Sequence, residues 1–596
     1  VLSSIFYQYR LFIVRKSIPI LLTIVGSAFQ VAASPANSPD WETRRTYQLP
    51  LPDSEHLSQL PNPIPPRTPE PPTEQPTQPE KPNLETPPTQ PTPSSLEEIP
   101  GTIKVERFEF EGNTAFSDEE LAKKVAQFAG REITFAELIQ AEEAVTNLYV
   151  KNGYINSGAV IEAGQTFSPE GAVVTVTIVE GGIEEIQVTG TKRLNPDYIS
   201  SRLAVATQKP LNQNHLLEAL QLLQLDPLIE SISAQLSAGT RSDLSLLEVK
   251  VAEADYITLS PFADNGRNPS VGSFRRGVRL TIGNLAGFGD GLDFSFANTD
   301  GSNALDLSYT IPINPYNGTI RLAGGLSDNE VIDRQFERLD ITGDYHYYEL
   351  TLRQPLFQSP SEEFALGLTL SRQESQNFIL GEGFPLSPGA NNQGEIRISA
   401  IRFFQDWVKR NPQDVFAVRS QFSLGVGAFD ATVNGEGLPD SRFLAWRGQG
   451  QYVRLLAPDT LLVVRSDLQL ATDPLLTLEQ FSLGGLGTIR GYRQDLLLTD
   501  NGFLASVEAR LPIVRVSEVE GVLQVVPFVD FGVGWNNGDF PDPDPNALVG
   551  IGLGLQWQMG ENFSARFDWG IPLVDVDIDK RTWNDNGLYF SLDFNF

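Results

Sequence analysis

From residue 256 to the end of the chain, apolar and polar positions alternate with a period of two. Phe364, Leu366, Leu368 and Leu370 alternate with Ala365, Gly367, Thr369 and Ser371. Phe503, Ala505, Val507, Ala509 and Leu511 alternate with Leu504, Ser506, Glu508 and Arg510. The same pattern returns in Val549–Trp557 and in Phe563–Trp569. This period predicts β-strands. Roughly 16 such segments can be marked, with about 21 residues for each strand and its connection, the spacing expected of ~10-residue strands with mixed loops.

Alternation alone fits either a soluble sandwich or a membrane barrel, and three features favour the barrel. Charged pairs sit in mid-strand, Glu508 with Arg510 and Arg566 with Asp568. Tight turns, at Asn314–Gly318, Ala457–Thr460 and Met559–Asn562, alternate with longer loops. The chain also ends on an alternating strand, with Leu588, Phe590, Leu592, Phe594 and Phe596 on one face. An outer-membrane barrel puts such a face into lipid and the polar face into its lumen. At about 16 strands the lumen would be an aqueous channel.

Upstream the period changes. A strand begins near Ile103 and ends at Gly112-Asn113. Ser117 with Glu120, and Thr134 with Glu137, are capping boxes. They open helices whose apolar faces carry Leu121, Val125 and Phe128, then Leu138, Ala141, Val145 and Leu148. Asn152-Gly153-Tyr154 breaks the second helix, and Val160-Ile161 and Val174–Ile178 read as strands. This β-α-α-β-β order then recurs. Ile186–Gly190 echoes Phe108–Gly112, Asn195-Pro196 starts a helix, and Leu216, Leu220 and Leu223 mark another. Ile229–Leu236 and Leu247–Val251 supply the last two strands. A repeated small domain is stronger evidence than any single element.

Residues 34–100 are dominated by Pro, Thr, Glu and Gln and predict an extended spacer with too little apolar surface to fold. Before it, Arg10, Arg15 and Lys16 precede a short apolar run and Val31-Ala32-Ala33, the pattern of a signal peptide over 1–33. The run is too short for a spanning helix, and no other segment is long enough, so membrane insertion would have to use strands.

Composition removes several function classes. The 596 residues carry 75 acidic and 44 basic side chains, a net charge of −31, which disfavours nucleic acid as a partner. The chain contains no Cys, and its three His (His56, His215, His346) lie far apart. No G-x-S-x-G, H-E-x-x-H or phosphate-binding Gly-rich motif is present, so neither an enzyme nor a cofactor is expected. The run Asp539–Asp544 reads as a solvated acidic loop rather than a Ca²⁺ site.

One connection between barrel strands stands apart. It runs Phe481-Ser482-Leu483-Gly484-Gly485-Leu486-Gly487-Thr488-Ile489-Arg490-Gly491-Tyr492-Arg493. Two strands later comes Phe528-Val529-Asp530-Phe531-Gly532. By parity Val525, Val529, Phe531, Val533 and Trp535 share the apolar face, while Phe528, Asp530, Gly532 and Gly534 face the lumen. Asp530 would then lie where Arg490 could reach it, and an Arg–carboxylate pair in a confined lumen would be charge-assisted and bidentate.

These motifs carry a resemblance. The repeat resembles the POTRA domain, a periplasmic polypeptide-binding module. Ile489-Arg490-Gly491-Tyr492 resembles the [VI]-R-G-[YF] motif of the inward-folding loop in POTRA-plus-barrel proteins. Phe528, Asp530 and Gly532 resemble its partner motif F-x-[DG]-x-G. The strand ending in Phe594 and Phe596 resembles the C-terminal signal of bacterial outer-membrane barrels.

Together these features resemble two-partner secretion translocators of the ShlB/FhaC/HecB type. The resemblance implies two POTRA-like domains, over 101–181 and 182–255, followed by an antiparallel barrel over 256–596. It implies an unfolded, haemolysin-like or adhesin-like exoprotein as partner, docking by β-augmentation on POTRA sheet edges. It also implies outer-membrane lipid and the barrel-assembly machinery as partners, with the POTRA domains in the periplasm of a Gram-negative-type envelope. A plug helix often precedes the linker in that family, and Trp41–Leu51 is the only candidate here. Three rivals stay open: a barrel-assembly insertase of the same superfamily, a passive porin, and an outer-membrane lipase or protease. A porin would not need the repeat, and the enzymes lack their motifs.

Overall fold

The computed structural model describes residues 63–64, 83–85, 101–165, 171–241 and 243–596. The expected signal peptide and the candidate plug at Trp41–Leu51 lie outside them. The first element is a short strand, β1 (Asn83–Glu85).

The first domain comprises β2 (Thr102–Glu111), α1 (Asp118–Val125), β3 (Arg131–Thr134), α2 (Phe135–Lys151), β4 (Gly158–Val160) and β5 (Ala172–Val179). Both capping boxes form: Ser117 and Thr134 accept from the N–H groups of Glu120 and Glu137, whose carboxylates return to the cap N–H. Leu138, Ala141, Val145 and Tyr149 of α2 are buried against Val105, Phe108, Val174 and Val176. The sheet order is β3-β2-β5-β4. Strand β3 was not expected. It has four residues with only Ile133 buried, too few to show a period.

The second domain comprises β6 (Gly182–Thr189), α3 (Pro196–Ala206), α4 (Gln213–Gln224), β7 (Ile229–Ala238) and β8 (Leu244–Glu253). The repeat extends to backbone irregularities. A bulge between Val105 and Arg107 in β2 recurs between Ile183 and Glu185 in β6. In the first domain it turns Phe108 and Phe110 into the core beside Val105, whereas simple alternation from Val105 points them outward. Gly112 and Gly190, both at positive φ, sit where a Cβ would strike the carbonyl of Ile178 or Val251. That close approach explains the shared glycine.

A second shared device follows each glycine. Glu180 accepts from the N–H groups of Thr114 (2.7 Å) and Ala115 (2.8 Å) and from the Tyr149 hydroxyl (3.0 Å). Glu253 does the same for the N–H groups of Lys192, Arg193 and Leu194. Burial pushes the Glu180 carboxyl up, but its hydrogen bonds outweigh burial and hold it below the ordinary carboxylate range. A lowered folded value means this contribution is complete above the unfolded value of about 4.3 and disappears as pH falls through the folded one. Glu180→Gln is therefore expected to weaken amide protection around Thr114–Ala115 at neutral pH by about 1–3 kcal/mol. It should also flatten the acid dependence of that protection, measured by hydrogen exchange on the full chain. An unchanged acid profile would remove Glu180 from this role.

Sixteen antiparallel strands, from Ile257–Asp264 to Leu588–Phe594, close into a barrel among the described residues, with Glu382–Gly383 as a short addition. Leu322, Leu350, Leu370, Ile401, Leu424 and Leu444 are direct cross-strand neighbours along one rung, and all are exposed on the outer face. A continuous exposed apolar rung is what lipid contact requires. No described helix is long and apolar enough to cross a membrane. Closure is uneven: the first and last strands pair at only three positions, Asp264–Phe262 with Ser591–Asp593, supplemented by reciprocal bonds between Leu259 and Phe596.

Two parts of the Pro-rich segment depart from the expected bare spacer. Ile64 is buried against Ile396, Ile398 and Leu476 of the barrel interior, so an apolar side chain of the segment finds cover in the barrel wall. Residues 83–85 form β1, which runs parallel to β7 and gives the second domain the sheet order β1-β7-β8-β6.

Candidate functional site

The connection between strands Thr460–Ala471 and Asn501–Val516 folds into the barrel. Phe481–Leu483 pairs with Leu497–Thr499 to make its stem. Phe481, Leu483, Ile489, Tyr492 and Leu497 are buried with Leu504 and Leu548 of the wall. This apolar packing explains why a loop in a polar lumen holds one position.

At its tip Arg490 is 2% exposed, and its partner Asp530 is fully buried. Arg490 Nε donates to Asp530 Oδ2 at 2.8 Å, and Nη2 donates to Oδ1 at 2.8 Å. The Arg490 backbone N–H donates to the same carboxylate at 3.0 Å. The guanidinium lies 3.5 Å from the centre of the Phe528 ring, a cation–π contact. Ser506 donates its hydroxyl to Asp530 Oδ1 at 2.7 Å. The motif residues Phe528, Asp530 and Gly532 all face the lumen, on one parity of the strand Gly521–Trp535.

The backbone of the tip is held equally closely. Gly491 has φ +107°, open to glycine and strained for other residues. Its N–H donates to the Tyr589 hydroxyl at 3.0 Å, and that hydroxyl donates to the Tyr492 carbonyl at 2.6 Å. The Tyr492 hydroxyl donates to the Val549 carbonyl at 2.9 Å and accepts from the Val574 N–H at 3.1 Å. Three wall glycines receive the loop. A Cβ at Gly532 would lie 2.8 Å from Leu483, while at Gly550 and Gly570 it would overlap the backbone of Arg490 and Gly491.

Sequence reasoning placed Glu508/Arg510 and Arg566/Asp568 in the lumen as separate pairs. The structure joins them to the loop. Glu508 accepts from Arg490 Nη1 at 3.0 Å, Arg510 Nη2 at 2.9 Å and Arg566 Nη2 at 2.8 Å, with Arg465 at 3.9 Å. Arg566 also pairs with Asp568 at 2.7 Å. The shared lumen parity of these residues was the available signal; their convergence depends on strand order. Gly550 and Gly570 were visible as small residues on alternating strands, but nothing in the sequence tied them to the loop.

At the other end of the barrel Phe594 and Phe596 stack with parallel rings, and Phe594 meets Phe563 at 4.6 Å. Both are exposed. In the run Asp539–Asp544, Asp542 accepts from the Asn536 N–H, a loop-shaping contact.

Comparison with known proteins gives the site its setting. The family described as haemolysin secretion/activation protein ShlB/FhaC/HecB matches residues 243–557, and the ShlB-type POTRA domain matches 103–181. The chain is 24% identical over 488 residues to the outer membrane transporter CdiB of Escherichia coli, covering 78% of each. It is 20% identical over 479 residues to the heme/hemopexin transporter protein HuxB of Haemophilus influenzae, covering 76% of this chain and 80% of that one. The solved structure of CdiB from Escherichia coli shares its fold, with a TM-score of 0.67 at 22% identity over 85% of this chain and 93% of that one. Since the family's own pattern spans more than half of the sequence and the ShlB-type POTRA domain precedes it, the chain belongs to the ShlB/FhaC/HecB family of haemolysin secretion/activation proteins.

Proposed function

We propose that Arg490 and Asp530 form the lock that holds the lumen loop in its working position during protein export. The chain is an outer-membrane translocator of the two-partner secretion type, with its POTRA domains in the periplasm. The observation that carries the proposed role is the fully buried, bidentate pair joining a loop to the wall of the channel. Ile489, Gly491 and Tyr492 seat the tip, and Phe528 and Gly532 shape its receptor.

In this reading an unfolded exoprotein, haemolysin-like or adhesin-like, adds a strand to a POTRA sheet edge. Strand β1 already covers the β7 edge of the second domain, so among the described residues the edge strands are the short β1 and β6 there and β3 and β4 in the first domain. The client then passes through the barrel, and folding outside supplies the pull. Insertion of the translocator itself would use the barrel-assembly machinery, which reads the terminal strand through Phe594 and Phe596, and its apolar outer face would contact outer-membrane lipid.

Deletion of the protein, followed by proteomics of the medium and the outer membrane, tests this. One or a few large exoproteins are expected to vanish from the medium while other barrels keep their levels. A general fall in outer-membrane barrels would make the protein an insertase instead.

A further inference from the structure

The second periplasmic domain meets the barrel at the connection 284–290, where the Asn195 N–H donates to the Gly287 carbonyl at 2.7 Å. Beside this contact lies a cavity of about 220 Å³. Asn195, Asp197, Ser201 and Arg202 line it from α3 and its cap, and Phe288 and Asn314 line it from the connections 284–290 and 313–318. The strands above these turns end their outward faces on apolar positions: Ile282 pairs with Leu292, and Ile311 with Ile320. The cavity therefore sits just beneath the lipid-facing band, at headgroup level. Phe288, Ile313 and Tyr316 stand exposed on the same turns.

Arg202 distinguishes this cavity from an ordinary crevice. Its guanidinium is stacked 3.5 Å from the Tyr198 ring centre, with Nε donating to Asn317 Oδ1 at 2.7 Å and Nη1 to the Tyr198 carbonyl at 2.8 Å. These partners are all neutral. Asp226, which acts on it electrostatically, is engaged by the Tyr198 hydroxyl at 2.6 Å. Among the described residues no carboxylate forms an ion pair with Arg202. Burial also pulls this guanidinium below its ordinary pKa, the direction a bound anion would reverse.

We propose that this cavity binds the headgroup of a periplasmic-leaflet glycerophospholipid, Arg202 holding the phosphodiester while Phe288 and Ile313 meet the acyl chains. Arginine suits a phosphate oxygen pair. Asp197 on the same wall disfavours a dianionic phosphate monoester, and its carboxylate can accept from headgroup hydroxyls. A glycerol-bearing, singly charged diester fits both residues. Such a lipid would fasten the second domain to the membrane at the point where it meets the barrel.

Native mass spectrometry of the full chain released from nanodiscs tests this, with phosphatidylglycerol and the phosphate-free diacylglycerol as probes and inorganic phosphate as competitor. The wild type is expected to retain phosphatidylglycerol about tenfold over diacylglycerol, which lacks the phosphodiester, as one charge-assisted contact allows. Arg202→Gln should lose the preference, and Arg202→Lys should keep part of it. Ser201→Asp leaves Arg202's own contacts in place, adds a carboxylate to the wall and should also lose it. An equal preference in Arg202→Gln would overturn the proposal. Equal losses in the Lys and Gln variants would do so too, since they would mark a purely structural stack on Tyr198. Displacement of the lipid by millimolar inorganic phosphate would assign the cavity to a soluble anion instead.

Discussion

Arg490→Ala is expected to reduce export of the partner exoprotein at least about tenfold while the barrel still inserts and closes. The substitution strands Asp530, fully buried, with only the Ser506 hydroxyl among its side-chain partners. Breaking a buried pair from one side costs about 3–5 kcal/mol, because the remaining charge stays desolvated. Here that cost falls on the seated loop, which can leave the wall, and not on the strands, whose ladders are untouched. Heat-modifiability on semi-native gels should therefore stay near wild type while exoprotein in the medium falls. Arg490→Lys should recover only part of the function, since an ammonium cannot make the two parallel bonds. Wild-type export from Arg490→Ala would refute the lock.

Glu508→Gln should have an effect of similar size by a different route. It keeps the shape of the side chain but removes the one carboxylate shared by Arg490, Arg510 and Arg566. Asp530 and Asp568 then face four guanidinium groups, counting Arg465. The surplus charge lies on the wall itself, so this variant should lower the thermal midpoint of the barrel as well as export. The added change Arg566→Gln removes one of the stranded cations and should restore part of the stability. A coupling of about 0.5–3 kcal/mol is the range for residues in one network. If the two substitutions add independently, Glu508 is not the centre of the cluster.

Elements defined by local chemistry were legible in the sequence. The capping boxes at Ser117 and Thr134, the strand period and the tight turns each depend on residues a few positions apart. Arg490 and Asp530 could be paired because parity gives the facing of Asp530 and the motif gives the loop. What parity does not give is which strands lie opposite one another around a closed lumen, so the junction of Glu508 with Arg490 and Arg566 stayed hidden. The bulges in β2 and β6 were hidden for a related reason: one extra residue shifts the facing of everything beyond it. Strand β1 and the seating of Ile64 lie in a segment whose composition argues against structure, and each is made by a partner far away in the chain.

The charges lining the loop's receptor carry one more consequence. Without Arg490 the wall holds Arg465, Arg510 and Arg566 against Glu508, Asp530 and Asp568. It is neutral on its own. A withdrawn Arg490 thus uncovers a balanced set of charges at its own seat, and a polypeptide in transit meets neither a cationic trap nor an anionic barrier there. Such a surface can let chains of very different sequence slide past.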